Sequence, residues 1–392
     1  MSLEDADIVI AGAGASGLSL ALMLGDKAPH LSLLLLEPRA AHTNDRTFCF
    51  FRTTPHRFSA LVSRSFREIE VRSEVREVRR MLRDHPYEEL RASDFYAHTL
   101  EALAKHPNAK LERGVQVTSF EETGRDVAIQ TTHGEVRARL FIDARGGVLQ
   151  AKKSAHDVDW LQHFVGQEVT TTQPIFTPGR ATLMDYRVDQ SKGPHFIYVL
   201  PTSRTEALVE DTYFSPTKLP RSIYEENIRA WLEARGAGEF TIGREEEGAI
   251  PMSSAPVSEA VPNATRIVAI GQRGGAAKPS SGYAFQFIQR QCEALSSHIE
   301  SHGIGSPLMW LPPRSHITTI FDRVFLGYLR RNPQDGPSLF TGLFANTGGD
   351  TLARFMSEEG GIRDHLAVMS AVPMLGVVSE IARSRKLWMR AR

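Results

Sequence analysis

A glycine-rich sequence near the N-terminus is the first group of residues whose types and spacing could do chemistry. Residues 12–17 read GAGASG, and Glu37 follows Gly17 by twenty residues. In this G-x-G-x-x-G spacing, Gly12 would make a tight turn, Gly14 would let backbone amides approach a pyrophosphate, and Gly17 would let a helix pack closely on a strand. Glu37 could accept hydrogen bonds from a ribose diol and would repel a 2′-phosphate. The pattern therefore predicts FAD or NAD, and its place at the N-terminus is typical of FAD-dependent proteins.

The flanking elements must present this sequence to its ligand. Residues 7–11 (DIVIA) and 31–36 (LSLLLL) are short apolar runs, and 18–24 (LSLALML) have helical spacing. The order strand, glycine turn, helix, strand, acid is that of a βαβ nucleotide-binding unit. The N-terminus of the helix would bring partial positive charge to the phosphates.

Two later segments are predicted to return to the same site. The apolar run 140–142 leads into Asp143 and the turn 144–147 (ARGG), as in the second strand and turn of FAD-binding folds. A strand at 265–270 precedes a loop and a helix from about 284 to 302. The loop residues predicted to approach the cofactor are Gly271, Gly274, Gly275, Pro279 and Gly282. Gln272 stands where many flavoproteins carry an acid for the ribityl hydroxyls, which leaves that contact open.

Two adjacent carboxylates form the second chemical group. Glu210 and Asp211 follow the apolar run 207–209 within a strand-like segment, 206–214. Successive side chains of a strand point to opposite faces, so only one of the two can face a given cavity. From the residues alone, an exposed strand carboxylate is the commoner interpretation of such a pattern.

The rest of the chain predicts a mixture of strands and helices. Residues 64–84 are rich in Arg and Glu with partial period-two alternation, which indicates antiparallel strands with one solvated face. A helix is predicted at 93–106, with Ser93 or Asp94 as N-cap. Further strands are predicted at 114–120, 126–132, 135–142, 164–169, 181–188 and 195–200.

We therefore predict an α/β fold with an FAD-binding Rossmann-like domain of the glutathione-reductase or hydroxylase type. The discontinuous nucleotide domain would comprise residues 1–63, 93–150 and 262–303. Residues 64–92 and 151–261 would form an antiparallel-sheet domain that covers the cofactor and shapes a substrate cavity. Residues 304–392 would form a helical C-terminal region.

Composition excludes several classes of function. The 392 residues contain 46 Lys plus Arg and 46 Asp plus Glu, so the chain lacks the net basic charge that nucleic-acid binding favours. Two cysteines cannot build a disulfide framework or a zinc site, and His85, His98, His106 and His133 have no second His or Cys at metal-ligand spacing. Without a signal peptide or a run of 18 apolar residues, a cytoplasmic protein is expected.

Several longer motifs, in the same order along about residues 7–290, resemble the bacterial lycopene β-cyclases, which are FAD-dependent carotenoid cyclases. Two positions depart from the family pattern: Lys278 stands where His is frequent, and Phe48 where Trp is common. The matching segments are 44–51 (NDRTFCFF), 141–146 (FIDARG), 162–168 (QHFVGQE), 184–185 with Gln190, 196–201 (FIYVLP), 208–214 (LVEDTYF), 248–252 (GAIPM) and 278–283 (KPSSGY).

The resemblance implies a redox-neutral ring closure at the ends of lycopene, as in the formation of β-carotene, through protonation of the terminal alkene. It implies reduced FAD as cofactor and NAD(P)H as reductant. The catalytic acid of the family falls on Glu210, which an apolar cavity would keep protonated. Asp211, the second candidate of the catalytic pair, would point away in a supporting role.

Other residues receive roles on weaker grounds. Arg46 is predicted to support the FAD ribose or the flavin edge, although an ordinary surface arginine is nearly as compatible with the sequence. Aromatic faces in the substrate cavity would favour a passing cation. The residues predicted to contact substrate are Phe48, Phe50, Tyr198, Tyr213 and Tyr283, and further candidates for the cavity wall are Phe51, Phe214 and Phe285.

Two alternatives remain open at this point. One is an FAD- and NAD(P)H-dependent monooxygenase or reductase of a hydrophobic isoprenoid, and the other is a flavoprotein that only binds. A lipophilic carotenoid substrate implies peripheral contact with a membrane surface. The apolar stretch 366–378, followed by Trp388 and basic residues, could lie on such a surface or pack on the core as a terminal helix. The sequence does not predict an oligomeric state.

Overall fold

A computed structural model of the protein describes residues 3–147, 157–255, 257, 264–304 and 314–371. The strands of the N-terminal part are β1 (Ala6–Ala11), β2 (Leu33–Glu37), β3 (Thr47–Phe51), β4 (Arg64–Phe66), β5 (Glu68–Arg72), β6 (Glu77–Met81), β7 (Tyr87–Arg91), β8 (Ala109–Arg113), β9 (Val117–Thr123), β10 (Asp126–Thr131) and β11 (Gly134–Asp143). Those that follow are β12 (Asp159–Thr171), β13 (Arg180–Asp185), β14 (His195–Pro201), β15 (Glu206–Ser215), β16 (Phe240–Ser253) and β17 (Ile267–Ala269).

The helices surround these strands. They are α1 (Ala15–Lys27), α2 (Ala92–Leu103), α3 (Arg221–Glu233), α4 (Phe285–His302), α5 (His316–Arg331), α6 (Gly336–Asn346), α7 (Gly349–Met356) and α8 (Ile362–Ser370). Short 3₁₀ turns lie at Ser59–Leu61 and Pro333–Asp335.

The first sheet has the order β8-β2-β1-β11-β10-β9, and β17 pairs with β11. Its β8, β2, β1, β11 and β17 pair in parallel, whereas β9 and β10 form an antiparallel extension. Ile8, Val9 and Ile10 of β1 are fully buried because both faces of the parallel part are covered. Helices α1, α2 and α4 pack together on one face. The fold is therefore α/β with a Rossmann-like sheet, as predicted.

The second sheet has the order β16-β12-β15-β14-β13-β5-β6 and is antiparallel except between β13 and β5. A third sheet of β3, β7 and β4 lies where the chain crosses between the two larger sheets. The segment 64–92 is thus divided: residues 68–81 join the second sheet, and β4 and β7 pair in the third. Helix α6 packs against β5 and β6, and α7 packs against β6 and β3. The helical C-terminal region therefore contacts both the second and the third sheet.

The cap of α2 differs from the prediction. The helix begins at Ala92, so its N-cap is Arg91, and neither Ser93 nor Asp94 caps it. Strand β7 runs directly into the helix, which leaves no turn for a capping side chain. The proposed membrane-surface segment 366–378 begins in α8, but its part from residue 372 onward, with Trp388, lies outside the described residues.

Within the described ranges, none of the helices has both the length and the apolar composition that crossing a membrane requires.

Candidate active site

A cavity of about 770 Å³ lies between the first and second sheets. Its wall combines the glycine turn, the loop before α4, strand β3, one face of the second sheet and parts of α6 and α7. The predicted site residues that line it are Gly12, Gly14, Glu37, Arg46, Gly282, Phe48, Tyr198, Tyr283 and Glu210. Three separate segments of the chain thus meet at one cavity.

The glycine turn leaves backbone amides open to this cavity. Gly12 has φ +98°, and a Cβ at Gly17 would lie 1.9 Å from the carbonyl oxygen of Gly12, so the close contact of helix and strand requires glycine. At Gly14 a Cβ would meet no described atom within 4 Å. No side chain of the described residues caps α1, and its first turn contains no acid. An anionic ligand would satisfy these amides.

Glu37 is buried at the end of β2. Its carboxylate accepts hydrogen bonds from the Ala13 amide at 2.8 Å and from the Arg39 side chain at 2.8 Å. Burial opposes its charge, but these hydrogen bonds hold the pKa of Glu37 below its ordinary value. Arg39 also lines the cavity and was not predicted from the sequence. Arg46 lies at the cavity with half of its side chain exposed and bonds Asp45 at 2.9 Å.

The two later segments brace the turn. Asp143 is fully buried and pairs with Arg145 at 2.8 Å and Arg273 at 3.0 Å, so its carboxylate ties the segments together instead of facing the cavity. Gly271 has φ +66°, and a Cβ there would lie 2.4 Å from Ser16 Oγ. The Gly271 amide donates to Gln291 at 2.7 Å.

The other loop residues that we predicted to approach the cofactor are Gly274, Gly275, Pro279 and Gly282, and only some of them reach the cavity. A Cβ at Gly274 would lie 2.4 Å from the Ala269 carbonyl, and Gly275 has φ +78°, so both shape the turn. Gly282 lines the cavity beside Gln162, whereas Pro279 is not among the described residues that line it. Gln162 Oε1 is buried without a hydrogen-bond partner in the described part of the chain.

Lys278, which stands where the family frequently has His, lies in a buried charged cluster. Its side chain is fully buried and turns toward the C-terminal helices, where it bonds Asp322 at 2.8 Å and Glu358 at 3.3 Å. Arg314 contacts the same two carboxylates. Lys278 therefore anchors the loop to α5 and to the residues after α7.

The candidate acid faces the cavity from β15. Glu210 shares its face of the strand with Thr212 and Phe214, and all three line the cavity. Only 9% of Glu210 is exposed. Burial and the neighbouring negative charge of Glu246 raise the pKa of Glu210 well above its ordinary value. Both effects favour the protonated form of this carboxyl.

Asp211 and Tyr213 lie on the opposite face of β15, away from the cavity. Asp211 is bonded by His195 and, at 2.8 Å, by Asn227. The ring of Tyr213 stacks on His195 with centroids 3.9 Å apart. The prediction that Tyr213 contacts substrate in the cavity is therefore wrong, because strand alternation places its side chain on the same face as Asp211, away from the cavity.

Phe50 is also displaced from its predicted place. Its ring stacks on Phe285 at 5.0 Å within the core of the nucleotide domain, whereas Phe48 and Phe51 of the same strand line the cavity. Other aromatic side chains complete the wall on the side of the second sheet, where the Tyr87 and Tyr198 hydroxyls are 3.0 Å apart. The further aromatic residues of the wall are Tyr96, Phe164, Phe196, Phe214, Tyr283, Phe285, Phe340 and Phe344.

Sequence reasoning missed a second carboxylate at the site. Glu246 of β16 lines the cavity and is 5% exposed. It lies in a run of three glutamates, 245–247, directly before the motif 248–252. Residues 246–250 all line the cavity, so the position of Glu246 beside the family motif 248–252 was the available signal, but the run of charge resembles a solvated face.

Comparison with known proteins gives the family. The family model described as lycopene cyclase protein matches residues 7–382. The lycopene β-cyclase of Pantoea ananas is 26% identical over 401 residues, which cover 96% of this chain and 97% of that protein. The lycopene β-cyclase of Pseudescherichia vulneris is 26% identical over 310 residues, with 76% and 75% covered.

Solved structures share the fold. A geranylgeranyl bacteriochlorophyll reductase-like protein of Thermoplasma acidophilum superposes with a TM-score of 0.62 at 13% identity, covering 97% of this chain and 100% of that one. A flavin-dependent monooxygenase solved with FAD and substrate has a TM-score of 0.58 at 15% identity, with 97% and 72% covered. The fold is thus that of flavoprotein reductases and monooxygenases, and the family match over nearly the whole length shows that the chain belongs to the lycopene cyclase enzymes.

Proposed function

We propose that the protein is an FAD-dependent cyclase that closes rings at the ends of a linear carotenoid such as lycopene, without net redox change. The observation that carries this proposal is the carboxyl of Glu210, which is buried in an aromatic cavity that adjoins the glycine turn, where burial raises its pKa. Protonation of an alkene requires such an acid beside the substrate, whereas transfer of oxygen to a substrate does not.

The residues of the cavity fit FAD. The uncapped amides of α1 suit its pyrophosphate, and the open space at Gly14 would admit it. Glu37 suits the ribose, and the unpaired Gln162 Oε1 could accept from a flavin N–H. Bound in its reduced anionic form, with NAD(P)H as reductant, the flavin would supply a fixed negative charge that stabilises positive charge in the cavity.

The chemistry at Glu210 follows from its surroundings. The carboxyl O–H bond breaks, the proton is transferred to the terminal alkene carbon, and the alkene electron pair forms the new C–H bond. The tertiary cation that results is attacked by the neighbouring double bond, and a ring proton then leaves to a base. Phe48, Tyr198 and Tyr283 contribute ring faces that favour the cation. The product has the mass of the substrate.

A substrate of this kind resides in lipid, so we also propose that the protein works in the cytoplasm at a membrane surface. Exposed apolar side chains on α5 and α8 support such contact: Ile317, Ile362 and Leu366 are each more than half exposed. Flotation of the protein with liposomes, with and without lycopene, tests this part.

Anaerobic turnover of lycopene in liposomes, with FAD and NADPH, tests the activity. We expect a product of unchanged mass, and Glu210→Gln should lower the rate by a factor of about 10² or more while flavin remains bound. A product heavier by hydrogen would instead identify a reductase, and one heavier by oxygen after admission of air a monooxygenase. Full activity of Glu210→Gln would refute the assigned role.

A further inference from the structure

A glycine separates two carboxylates on the face of the second sheet that lines the cavity. Gly166 of β12 pairs with Glu210 of β15 on one side and with Glu246 of β16 on the other. A Cβ at residue 166 would lie 2.8 Å from Cγ of Glu210 and 3.2 Å from Cγ of Glu246. The two side chains therefore lean toward each other over the central strand, through space that any other residue would fill.

The surroundings of Glu246 suit a carboxylate. Its Oε2 accepts a hydrogen bond from the Thr47 hydroxyl at 2.8 Å and forms an ion pair with Arg244. Arg244 is itself held by Glu168 at 3.1 Å and donates to the Thr47 hydroxyl at 3.0 Å. Among the described residues, no cation forms an ion pair with Glu210, whose side chain leans toward Glu246. Of the two carboxyls, Glu246 is thus the one that has a cation and a hydroxyl donor on its oxygen.

We propose that Glu246 is a positioning residue that acts through Glu210, as the fixed carboxylate that keeps the catalytic proton on Glu210 and orients it into the cavity. This inference rests on the proposed function. Two carboxyls in contact cannot both ionise readily, so the pair holds one proton. Because Arg244 and Thr47 occupy Glu246, that proton resides on Glu210, next to the aromatic wall.

The pair also changes the energetics of the step. When the proton moves from Glu210 to the alkene, its O–H electron pair remains as a second negative charge beside Glu246, facing the new cation. Repulsion between the carboxylates makes Glu210 a weaker acid, and attraction to the new cation offsets part of that repulsion as the proton leaves. The neighbouring charge of Glu246 therefore holds the proton on Glu210 until an alkene is in place to accept it.

Other groups that face Glu210 act more weakly on it. Arg244 lowers its pKa, whereas Glu89, which is paired with Arg64 at 2.7 Å, raises it by less than Glu246 does. The ionisable groups that face Glu210 are Glu246 and Arg244 from β16, Glu89 from β7, Cys49 from β3 and Tyr198 from β14.

The test compares pH profiles of the FAD-loaded enzyme acting on lycopene liposomes. Glu210 acts as an acid only while protonated, so activity falls as pH rises through its pKa. Glu246→Gln should move this alkaline limb to lower pH by about one unit or more and lower the rate at neutral pH roughly tenfold. Glu246→Asp keeps the negative charge, so its alkaline limb should lie closer to that of wild type than the limb of Glu246→Gln does. Glu245→Gln, whose side chain lies on the opposite face with Gln167 and Arg221, is the matched control and should match wild type.

A spectroscopic readout separates this role from a structural one. The infrared band of the protonated Glu210 carboxyl, assigned by its loss in Glu210→Gln, should titrate at lower pH in Glu246→Gln. If Glu246→Gln fails to fold, Gly166→Ala is the second variant to measure. Its methyl group would lie between the two carboxyls, so the Glu210 band should again titrate at lower pH than in wild type. An unchanged band and pH profile in these variants, with Glu210→Gln inactive, would overturn the inference alone. An active Glu210→Gln would overturn the proposed function itself.

Discussion

Replacement of Lys278 by methionine should destabilise the protein strongly. Lys278 and Arg314 oppose Asp322 and Glu358 in a cluster whose side chains are at most 6% exposed, so two positive charges balance two negative ones. Lys278→Met leaves one buried negative charge without compensation. Removal of one partner from a buried ion pair costs about 3–5 kcal/mol, although Arg314 keeps contact with both acids and should hold the loss near the lower value.

A compensating variant tests the reasoning. Lys278→Met combined with Glu358→Gln restores the charge balance and leaves the pair of Asp322 and Arg314 intact. It should recover roughly 1–2 kcal/mol of the loss, as expected for residues in direct contact. Urea unfolding of the apoprotein at neutral pH measures both changes. A single variant that loses less than about 1 kcal/mol, or a double variant less stable than the single one, would refute the account of charge balance.

The same cluster predicts a dependence on pH. Burial opposes ionisation of Asp322, but the charges of Lys278 and Arg314 hold its pKa below the ordinary value, and the pKa of Glu358 is lowered for the same reason. A lowered pKa in the folded state contributes stability above the ordinary pKa of the group, which is lost as pH falls through the folded value. Wild type should therefore lose more stability between pH 5 and pH 3 than the double variant.

Two further comparisons concern the cofactor and the substrate. Gly17→Ala should destabilise the apoprotein by about 1–3 kcal/mol, since its methyl group would meet the Gly12 carbonyl. Gly14→Ala should leave the stability of the apoprotein unchanged, because its methyl group would meet no described atom. It should instead weaken flavin binding, as measured by fluorescence titration. Equal effects of the two variants on apoprotein stability would contradict this distinction. Tyr198→Leu should lower kcat roughly tenfold through loss of a cavity ring, and Tyr213→Phe should leave kcat unchanged while the lost Asn227 hydrogen bond costs about 1 kcal/mol. Loss of turnover in Tyr213→Phe would show that the outward face of β15 takes part in the chemistry.

Local patterns were sufficient for those features that depend on neighbours in the chain. The spacing of Gly12, Gly14 and Gly17 between an apolar run and a helical one predicted the turn, because Gly12 and Gly17 leave no room for a side chain there, whereas Gly14 leaves open space. Alternation along β15 likewise predicted that Asp211 would face away from Glu210, since successive strand residues always diverge. The fold class followed from these patterns and from the resemblance to the family.

Alternation could not say which face of a strand would meet the cavity. Phe50 faces the nucleotide core, although its neighbours Phe48 and Phe51 line the cavity, because the third sheet lies between two hydrophobic environments. Asp143 resembled a cofactor ligand in sequence, yet Arg145 of the same turn and Arg273 of a distant segment occupy it. In each case the deciding neighbour is remote in the chain.

The amino-acid sequence by itself determined the glycine turn, the class of fold and the opposite orientations of Glu210 and Asp211 on β15, and the resemblance to the family selected Glu210 as the acid. Only the tertiary structure decided what stands opposite that acid. The pairing of β12 with both β15 and β16 brings Glu246 to Glu210 across Gly166, and residues 166, 210 and 246 are too far apart in the chain for any local pattern to relate them. Strand register, set by the packing of the whole sheet, is the physical reason that the two carboxyls meet.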